Sequence, residues 1–230
     1  MRIAILDCSR LASPLLDRYG STAAVIAAWL APHMQGDDLV GVAIGDGAPL
    51  PRAGDFDGFV VSGSEMGVYD APDWMAPMRA LLLDIRDAGK PVYGMCFGHQ
   101  LMADTYGGKA EKSAQWSAGA RRFTADGEVF DAFVLHGDQV TEVPPGSRIL
   151  ASADYCPIAA LTYYFPAMST QFHPEYETDF VEAVIDLIQD QHLGARGGLE
   201  ARQSMDGATV KLGLFADKVA AFFKEHGPAV

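Results

Sequence analysis

KPVYGMCFGHQLMADTY, residues 90–106, is the stretch of the chain that most strongly constrains its fold. It begins with an apolar run typical of a strand, passes through a tight turn around Cys96, and continues as a helix-like run from Leu101 to Tyr106. Glycines on both sides of Cys96 allow the strained strand–turn–helix geometry that raises a nucleophile above the edge of a sheet. A helix N-terminus also favours a thiolate over a thiol, because its partial positive charge stabilises an anion. The stretch therefore predicts a strand–helix unit that carries Cys96 as a nucleophile.

The first half of the chain alternates between strand-like and helix-like runs. The expected elements are strand 3–8, helix 22–34, strand 39–44, strand 56–61 and helix 74–88. Between Gly108 and Met168 the pattern changes to short strands and turns, which predict an antiparallel extension of the sheet. The expected strands in that part are 120–124, 129–135, 148–152 and 158–165. The fold class predicted is α/β, a three-layer sandwich with a mostly parallel central sheet plus this antiparallel extension.

We expect residues 1–193 to form one domain and residues 194–230 to form a C-terminal extension packed on it. Glycines interrupt the beginning of the extension, and a terminal helix is predicted after them by the helical spacing of four apolar residues. These are Leu212, Phe215, Val219 and Phe222. Their apolar stripe either docks on the domain or contacts a partner, including a second copy in a homodimer. A further helix is predicted at 178–189, with Thr178 as its N-cap.

The charge balance limits the classes of partner. The chain has 17 basic and 30 acidic residues, a formal charge of −13, which disfavours binding to nucleic acid or to an anionic membrane surface. Three cysteines without a CxxC pair fit a reducing compartment and argue against a structural zinc site. The N-terminus resembles a buried strand rather than a signal peptide, and no apolar run approaches the length of a bilayer span. We therefore expect a cytoplasmic protein that needs neither a metal nor a cofactor.

A catalytic cysteine needs a base that removes its proton and protonates the leaving group. Among the six histidines, His173 stands at the end of a predicted strand, in the segment STQFHPE that ends at Glu175. In extended backbone, His173 and Glu175 point to the same face, where a carboxylate can orient an imidazole. The predicted triad is Cys96 as nucleophile, His173 as general base and acid, and Glu175 as orienter. From spacing alone, a buried structural cysteine and a strand-end histidine are equally acceptable interpretations.

Four motifs together resemble a known enzyme family. GMCFGHQ at 94–100 and QFHPE at 171–175 resemble the two signature motifs of class I, triad-type glutamine amidotransferases. VVSGS at 60–64 resembles the glycine-rich oxyanion strand of that family, and HGDQV at 136–140 resembles a segment of GMP-synthase-type amidotransferase domains. The chain is most similar to stand-alone, GMP-synthase-like domains of this kind. The resemblance implies a flavodoxin-like arrangement of the sheet.

The resemblance also implies a reaction, in which the Cys96 thiolate attacks the side-chain amide of L-glutamine and a γ-glutamyl thioester is hydrolysed to glutamate. It implies an oxyanion hole made by backbone N–H groups of three residues, which are Gly63, Ser64 and Phe97. It implies a set of substrate-binding residues, which are Gln100, His136, Gly137 and Asp138. A carboxylate such as Asp138 is suited to the ammonium group of an amino acid. The family's oxyanion strand commonly reads Ser-Gly-Gly-Pro, whereas Ser64 and Glu65 replace its last two residues here.

Three functions remain open at this level. Neither a phosphate-binding Gly-x-x-x-x-Gly-Lys loop nor a dinucleotide-binding fingerprint is present, so a synthetase that accepts ammonia would be another chain. The first function is therefore a glutamine amidotransferase-type hydrolase that passes ammonia to a partner chain or releases it. The second is a γ-glutamyl hydrolase acting on another γ-glutamyl amide or peptide, since the same triad would serve any such bond. The third is a non-catalytic binding or regulatory module on the same scaffold.

Overall fold

Residues 1–228, the part of the chain that the computed structural model describes, form nine strands and seven α-helices. The strands are β1 Arg2–Asp7, β2 Asp38–Ala43, β3 Gly58–Val61, β4 Val92–Met95, β5 Lys109–Ala125, β6 Glu128–Glu142, β7 Arg148–Ala153, β8 Cys156–Thr162 and β9 Ala167–Thr170. The helices are α1 Ser13–Tyr19, α2 Thr22–Leu30, α3 Met75–Asp87, α4 Phe97–Thr105, α5 Thr178–Ile188, α6 Gly194–Met205 and α7 Leu212–His226.

All nine strands join one sheet in the order β2-β1-β3-β4-β9-β8-β7-β5-β6. The strands β2, β1, β3, β4 and β9 pair in parallel, and every pair from β9 onward is antiparallel. Parallel strands of this kind are covered on both faces, and each residue of β3 and β4 is indeed buried. The predicted fold class, a mostly parallel α/β sheet with an antiparallel extension, is therefore confirmed.

Alternate residues of the central strands supply the two apolar layers. Phe59 packs with Leu82 of α3 and Met102 of α4 on one face of the sheet. The next residue, Val60, packs on the opposite face with helices α2 and α7. Phe223 of α7 is fully buried in this second layer. The terminal helix thus contributes its apolar face to the core of its own chain.

Several predictions of individual elements were wrong. The helices α1 and α6 were not expected. For α6 the reason is that glycines at its start lower helix propensity. In the folded chain, however, Gly198 lets α6 pack closely against the side chain of Gln189. Strands β5 and β6 are much longer than the predicted 120–124 and 129–135, because they stay paired across register shifts through residues 109–119 and 136–142. Thr178 is the first residue of α5 rather than its cap, and Glu177 at the N-cap makes no capping side-chain bond.

Residues 1–228 lack two further kinds of feature. No helix there combines the length and the apolar character needed to cross a membrane. In the same range, no group of three or more histidine, cysteine, aspartate or glutamate side chains is arranged to hold a metal ion.

Candidate active site

Cys96 occupies a strained turn between β4 and α4. Its backbone has φ 50° and ψ −103°, in the region of positive φ that non-glycine residues rarely adopt. A Cβ atom at Gly94 would lie 2.7 Å from the backbone of Gly98, and one at Gly98 would collide with the carbonyl of Val61. Only glycine fits at either position, so both are needed for the turn. The turn places the cysteine at the N-terminus of α4, as the nucleophile-elbow pattern predicted.

The side chains of His173 and Glu175 form a buried pair beside this turn. His173 Nδ1 lies 2.7 Å from Glu175 Oε1, and both residues are almost wholly buried. The imidazole also stacks on the ring of Tyr176, with the ring centroids 4.2 Å apart. The carboxylate and the aromatic ring together restrict the orientation of the imidazole, which leaves Nε2 as the nitrogen free for proton transfer.

Cys96 and His173 approach each other at Gly63, which follows β3. A Cβ atom at Gly63 would lie 3.2 Å from His173 Cε1 and 3.8 Å from Cys96 Cβ. The Cys96 sulfur lies 3.7 Å from the carbonyl oxygen of Leu135. The reacting side chains therefore converge just after the end of β3.

The charge state of His173 is set by competing effects. Burial by itself would lower its pKa, but the negative charges of Glu175 and of an ionised Cys96 outweigh burial and raise the pKa to about 10. At neutral pH the imidazole is therefore held as an imidazolium. An imidazolium in this position can protonate a leaving amine.

This raised pKa predicts how stability depends on pH. Because the pKa of folded His173 exceeds the ordinary value of 6.5, its charge pairing stabilises the fold fully below that value. The stabilisation is lost as the pH rises towards about 10. We expect the difference in unfolding free energy between wild type and His173→Gln, measured with urea, to shrink between pH 7 and pH 10. A difference that stays constant or grows over this range would contradict the assignment.

The loop at residues 62–66, where the sequence predicts the oxyanion hole and which we call the oxyanion loop, presents free backbone donors. Among the described residues, the N–H groups of Gly63, Ser64 and Phe97 donate to no protein acceptor. Ser64 Oγ donates to the carbonyl of Cys8 at 2.8 Å, and both oxygens of Glu65 accept the backbone N–H of Arg10 at 3.1 Å. The two residues that depart from the usual Gly-Pro therefore fasten this loop to the segment after β1.

A cavity of about 250 Å³ opens beside Cys96 and contains the expected substrate-binding residues. Gln100 Nε2 donates to the backbone carbonyl of Asp138 at 3.0 Å, and its Oε1 has no protein partner within residues 1–228. The same carbonyl accepts His136 Nδ1–H at 3.0 Å. Burial lowers the pKa of His136 to about 3, so this ring is neutral. A Cβ atom at Gly137 would lie 2.7 Å from the indole of Trp116, which explains the glycine.

The Asp138 carboxylate faces this cavity. Burial raises the pKa of Asp138, and a hydrogen bond from Tyr69 and the charge of Lys112 partly offset that effect. Tyr69 donates its hydroxyl to Asp138 Oδ1 at 3.1 Å across the cavity. A half-buried carboxylate next to so few cations is suited to binding an ammonium group.

Tyr69 lines the cavity, as one of the two interpretations of its position after residues 60–64 predicts, the other being a surface loop. Two other lining residues escaped the sequence analysis. Trp116 comes from a register shift in β5, and His192 comes from a π-helical turn at Gln189–Leu193. Their rings stack with centroids 4.3 Å apart and form the outer wall of the cavity. No local pattern brings these two residues together, because they meet only through the packing of α5 against the β5–β6 hairpin.

His99 lies in the signature motif but away from the reacting groups. Its two ring nitrogens lie 2.7 Å from Ser169 Oγ and 3.1 Å from the carbonyl oxygen of Ile158. Burial lowers its pKa to about 4, so the ring is a neutral link between α4 and the strands beneath it.

Comparison with known proteins gives matches of several kinds. The sequence model of the family described as "Glutamine amidotransferase class-I" matches residues 46–181. The chain is 35% identical over 140 residues to a GMP synthase [glutamine-hydrolyzing] of Azoarcus sp. (strain BH72), covering 51% of this chain and 25% of that protein. It is 29% identical over 148 residues to gamma-glutamyl peptidase 5 of Arabidopsis thaliana, covering 58% of this chain and 59% of that protein. The matched region of this chain thus spans about a quarter of the length of the GMP synthases.

Solved structures share the fold. A glutamine amidotransferase from Methylobacillus flagellatus superposes with a TM-score of 0.76 at 19% identity, covering 100% of this chain and 95% of the other. A glutamine amidotransferase from Thermotoga maritima gives a TM-score of 0.73 at 16% identity, covering 97% of this chain and 98% of the other. At these identities the comparison establishes a common fold alone.

Proposed function

Because this chain belongs to the class-I glutamine amidotransferase family, we propose that it hydrolyses the side-chain amide of L-glutamine to glutamate and ammonia. One observation carries the proposal. The strained Cys96 turn and the buried His173–Glu175 pair meet at Gly63, beside a cavity lined by groups suited to an amino acid. Family membership by itself would not establish that the reacting residues are assembled in this chain.

In the first half of the reaction, the Cys96 thiolate attacks the amide carbon and forms a C–S bond. The carbonyl oxygen becomes an oxyanion, which the free N–H groups of Gly63, Ser64 and Phe97 stabilise. The His173 imidazolium then gives its proton to the departing nitrogen, so that ammonia leaves and a γ-glutamyl thioester remains.

In the second half, His173 acts as a base. The neutral imidazole removes a proton from water as the water oxygen attacks the thioester carbon. The tetrahedral intermediate collapses, the C–S bond breaks, and the thiolate and imidazolium are restored as glutamate leaves. Glu175 takes no proton and instead orients the ring and stabilises its cationic form through the 2.7 Å contact to Nδ1.

At the amino-acid end, Asp138 and Gln100 would bind the α-ammonium group. The Asp138 carboxylate supplies a charge, and the unpartnered Oε1 of Gln100 supplies an acceptor. The neutral His136 and the close-packed Gly137 hold the Asp138 backbone in place.

This assignment predicts a substrate-dependent effect of Asp138→Asn. The variant should lower kcat/KM for L-glutamine by about 10- to 100-fold, which corresponds to the free energy of one charge-assisted hydrogen bond. It should change hydrolysis of glutaramate, which lacks the α-amino group, by much less. Asp131→Asn, in the same strand but outside the cavity lining, is the matched control and should leave hydrolysis of both substrates unaffected. Equal losses for the two substrates would show that Asp138 does not bind the ammonium group.

The direct test of the function combines turnover with labelling. Purified protein is incubated with L-glutamine, and glutamate and ammonia are both quantified. A glutamine analogue that alkylates thiols is then added, and the modified residue is located by peptide mass spectrometry. We expect equimolar products and modification at Cys96. Absence of turnover together with an unmodified Cys96 would favour the non-catalytic module instead.

A second candidate, hydrolysis of a substituted γ-glutamyl amide, is favoured by a neighbouring cleft. This cleft of about 570 Å³ includes Arg10, Leu50 and Trp74, and it shares Glu65 and Met66 with the cavity beside Cys96. It lies at the carboxyl ends of β1, β2 and β3, where the strand order reverses and ligands commonly bind in α/β sheets. The similarity to a protein named gamma-glutamyl peptidase 5 agrees with this candidate.

The two candidates differ in their preference for the leaving group. L-Glutamine, γ-glutamyl methylamide and γ-glutamylalanine are compared by kcat/KM. L-Glutamine should have the highest kcat/KM if the first candidate is right. If γ-glutamylalanine is turned over many-fold faster, and Trp74→Ala removes only that advantage, then the second candidate replaces the first.

We also propose that ammonia from glutamine is passed to a synthetase on another chain, as the similarity to GMP synthases suggests. Glutamine turnover is therefore measured with and without candidate synthetases. The three cysteines, Cys8, Cys96 and Cys156, are free thiols, which supports activity in the reducing cytoplasm.

A further inference from the structure

Gln171 is fully buried next to the reacting groups but takes no part in the steps above. Its backbone N–H donates to the carbonyl of Ala159 at 2.8 Å, which fixes the residue against β8. Its side chain lies between two other side chains: Gln100 Nε2 is 3.2 Å from Gln171 Oε1, and Gln171 Nε2 is 3.7 Å from the Cys96 sulfur.

Chemistry dictates which way the Gln171 amide points. The backbone carbonyl of Asp138 can only accept, so the atom of Gln100 that contacts it at 3.0 Å must be the nitrogen. That same nitrogen contacts Gln171, which must therefore present its oxygen. The Gln171 NH₂ group is then left facing the sulfur. The orientation follows from the one fixed acceptor, without any choice between equivalent amide conformers.

Few groups around the sulfur favour its anionic form. The Leu135 carbonyl at 3.7 Å can accept from a thiol but repels a thiolate. His173 supplies a positive charge from one side. The Gln171 N–H is the other donor directed at the sulfur within the described residues.

The remaining titratable neighbours stay neutral near pH 7. Burial raises the pKa of Tyr155, between β7 and β8, and of Tyr176, after the His173–Glu175 pair, well above the ordinary value. Burial, followed by the charge of Cys96, raises the pKa of Cys156 in β8 to about 12. These groups therefore do not change charge over the range in which the Cys96–His173 pair works.

We propose that Gln171 is a positioning residue, which donates a hydrogen bond to the Cys96 sulfur and stabilises its thiolate, and that Gln100 fixes the direction of this donor. The chain of contacts from Asp138 through Gln100 and Gln171 thus connects the substrate cavity with the nucleophile. The inference rests on the proposed role of Cys96 as nucleophile.

The test measures alkylation of Cys96 by iodoacetamide as a function of pH, without glutamine, with the modified peptide quantified by mass spectrometry. Gln171→Met keeps the side-chain length but removes the donor. We expect its alkylation to be about tenfold slower at neutral pH, with the midpoint of the pH profile displaced upward by about one unit. Gln100→Met, which leaves Gln171 in place but without its orienting donor, should slow alkylation about threefold.

A double variant gives the sharper test, because it measures whether Gln100 acts through Gln171. If Gln100 acts through Gln171, the double variant Gln100→Met/Gln171→Met should react no more slowly than Gln171→Met alone. Gln203→Met, the same substitution at an exposed position of α6, should react as wild type does. Wild-type alkylation in Gln171→Met, or additive losses in the double variant, would overturn the proposal.

Two further readouts separate the possible failures. Near-ultraviolet circular dichroism checks whether each variant keeps its packing. If Gln171→Met does not fold, Gln100→Met tests the proposal by itself, and a wild-type pH profile of alkylation in that variant would overturn it. Wild-type protein that turns over glutamine while Gln171→Met keeps its normal alkylation profile refutes only the role of Gln171. Wild-type protein in which Cys96 is neither alkylated nor active refutes the proposed function instead.

Discussion

Replacing Cys96 with serine should lower glutamate release from L-glutamine by about three orders of magnitude or more, because triad members act as a unit. A serine hydroxyl is not ionised near neutral pH, even at the N-terminus of α4, so the attacking anion is lost. The substitution is almost isosteric and leaves the strained backbone of the turn in place. The measurement is kcat for glutamate release, with the thermal midpoint as a check on folding.

Cys8→Ser is the matched control for this prediction. Cys8 is equally buried and follows β1, where its thiol donates to the carbonyl of Leu6 at 3.6 Å. Its pKa is raised by burial, so it is not a nucleophile near neutral pH. We expect the control to keep its turnover of L-glutamine. A Cys96→Ser variant that retains more than a few per cent of wild-type turnover would mean that the reaction does not pass through a thioester at Cys96.

Replacing His173 with glutamine should have a comparable effect, again about three orders of magnitude or more in kcat. Glutamine can still donate a hydrogen bond to Glu175, but it cannot carry the proton to ammonia or remove one from water. Because His173 and Cys96 act together, the double variant should be hardly worse than either single variant. That non-additivity would distinguish a catalytic pair from two independent structural defects.

His33→Gln is the control for the histidine. His33 follows α2 and contacts Asp217 of α7 at 2.7 Å, and it does not line the cavity beside Cys96. We expect full activity for His33→Gln. If His173→Gln instead retained its kcat and lost only substrate affinity, His173 would be a binding residue and the proposed mechanism would be wrong.

Predictions from the sequence succeeded for features that are determined by residues within one short segment. The parallel core could be predicted because buried parallel strands are continuous apolar runs, as β3 and β4 are. The position of Cys96 could be predicted because the elbow needs glycines at fixed distances from the nucleophile. The helix α6 could not be predicted, since its glycines disfavour a helix locally and the close packing of Gly198 against Gln189 is a tertiary contact.

The amino-acid sequence alone determined the fold class and the order of the chemical motifs, because the strand, turn and helix signals around Cys96 lie within one short segment. Only the tertiary structure decided which groups surround the sulfur. Gln171 follows β9, Trp116 lies in β5 and His192 lies in a π-helical turn, and their positions depend on packing between distant segments. The direction of the Gln171 amide depends on a single backbone carbonyl, that of Asp138, which no residue pattern could place.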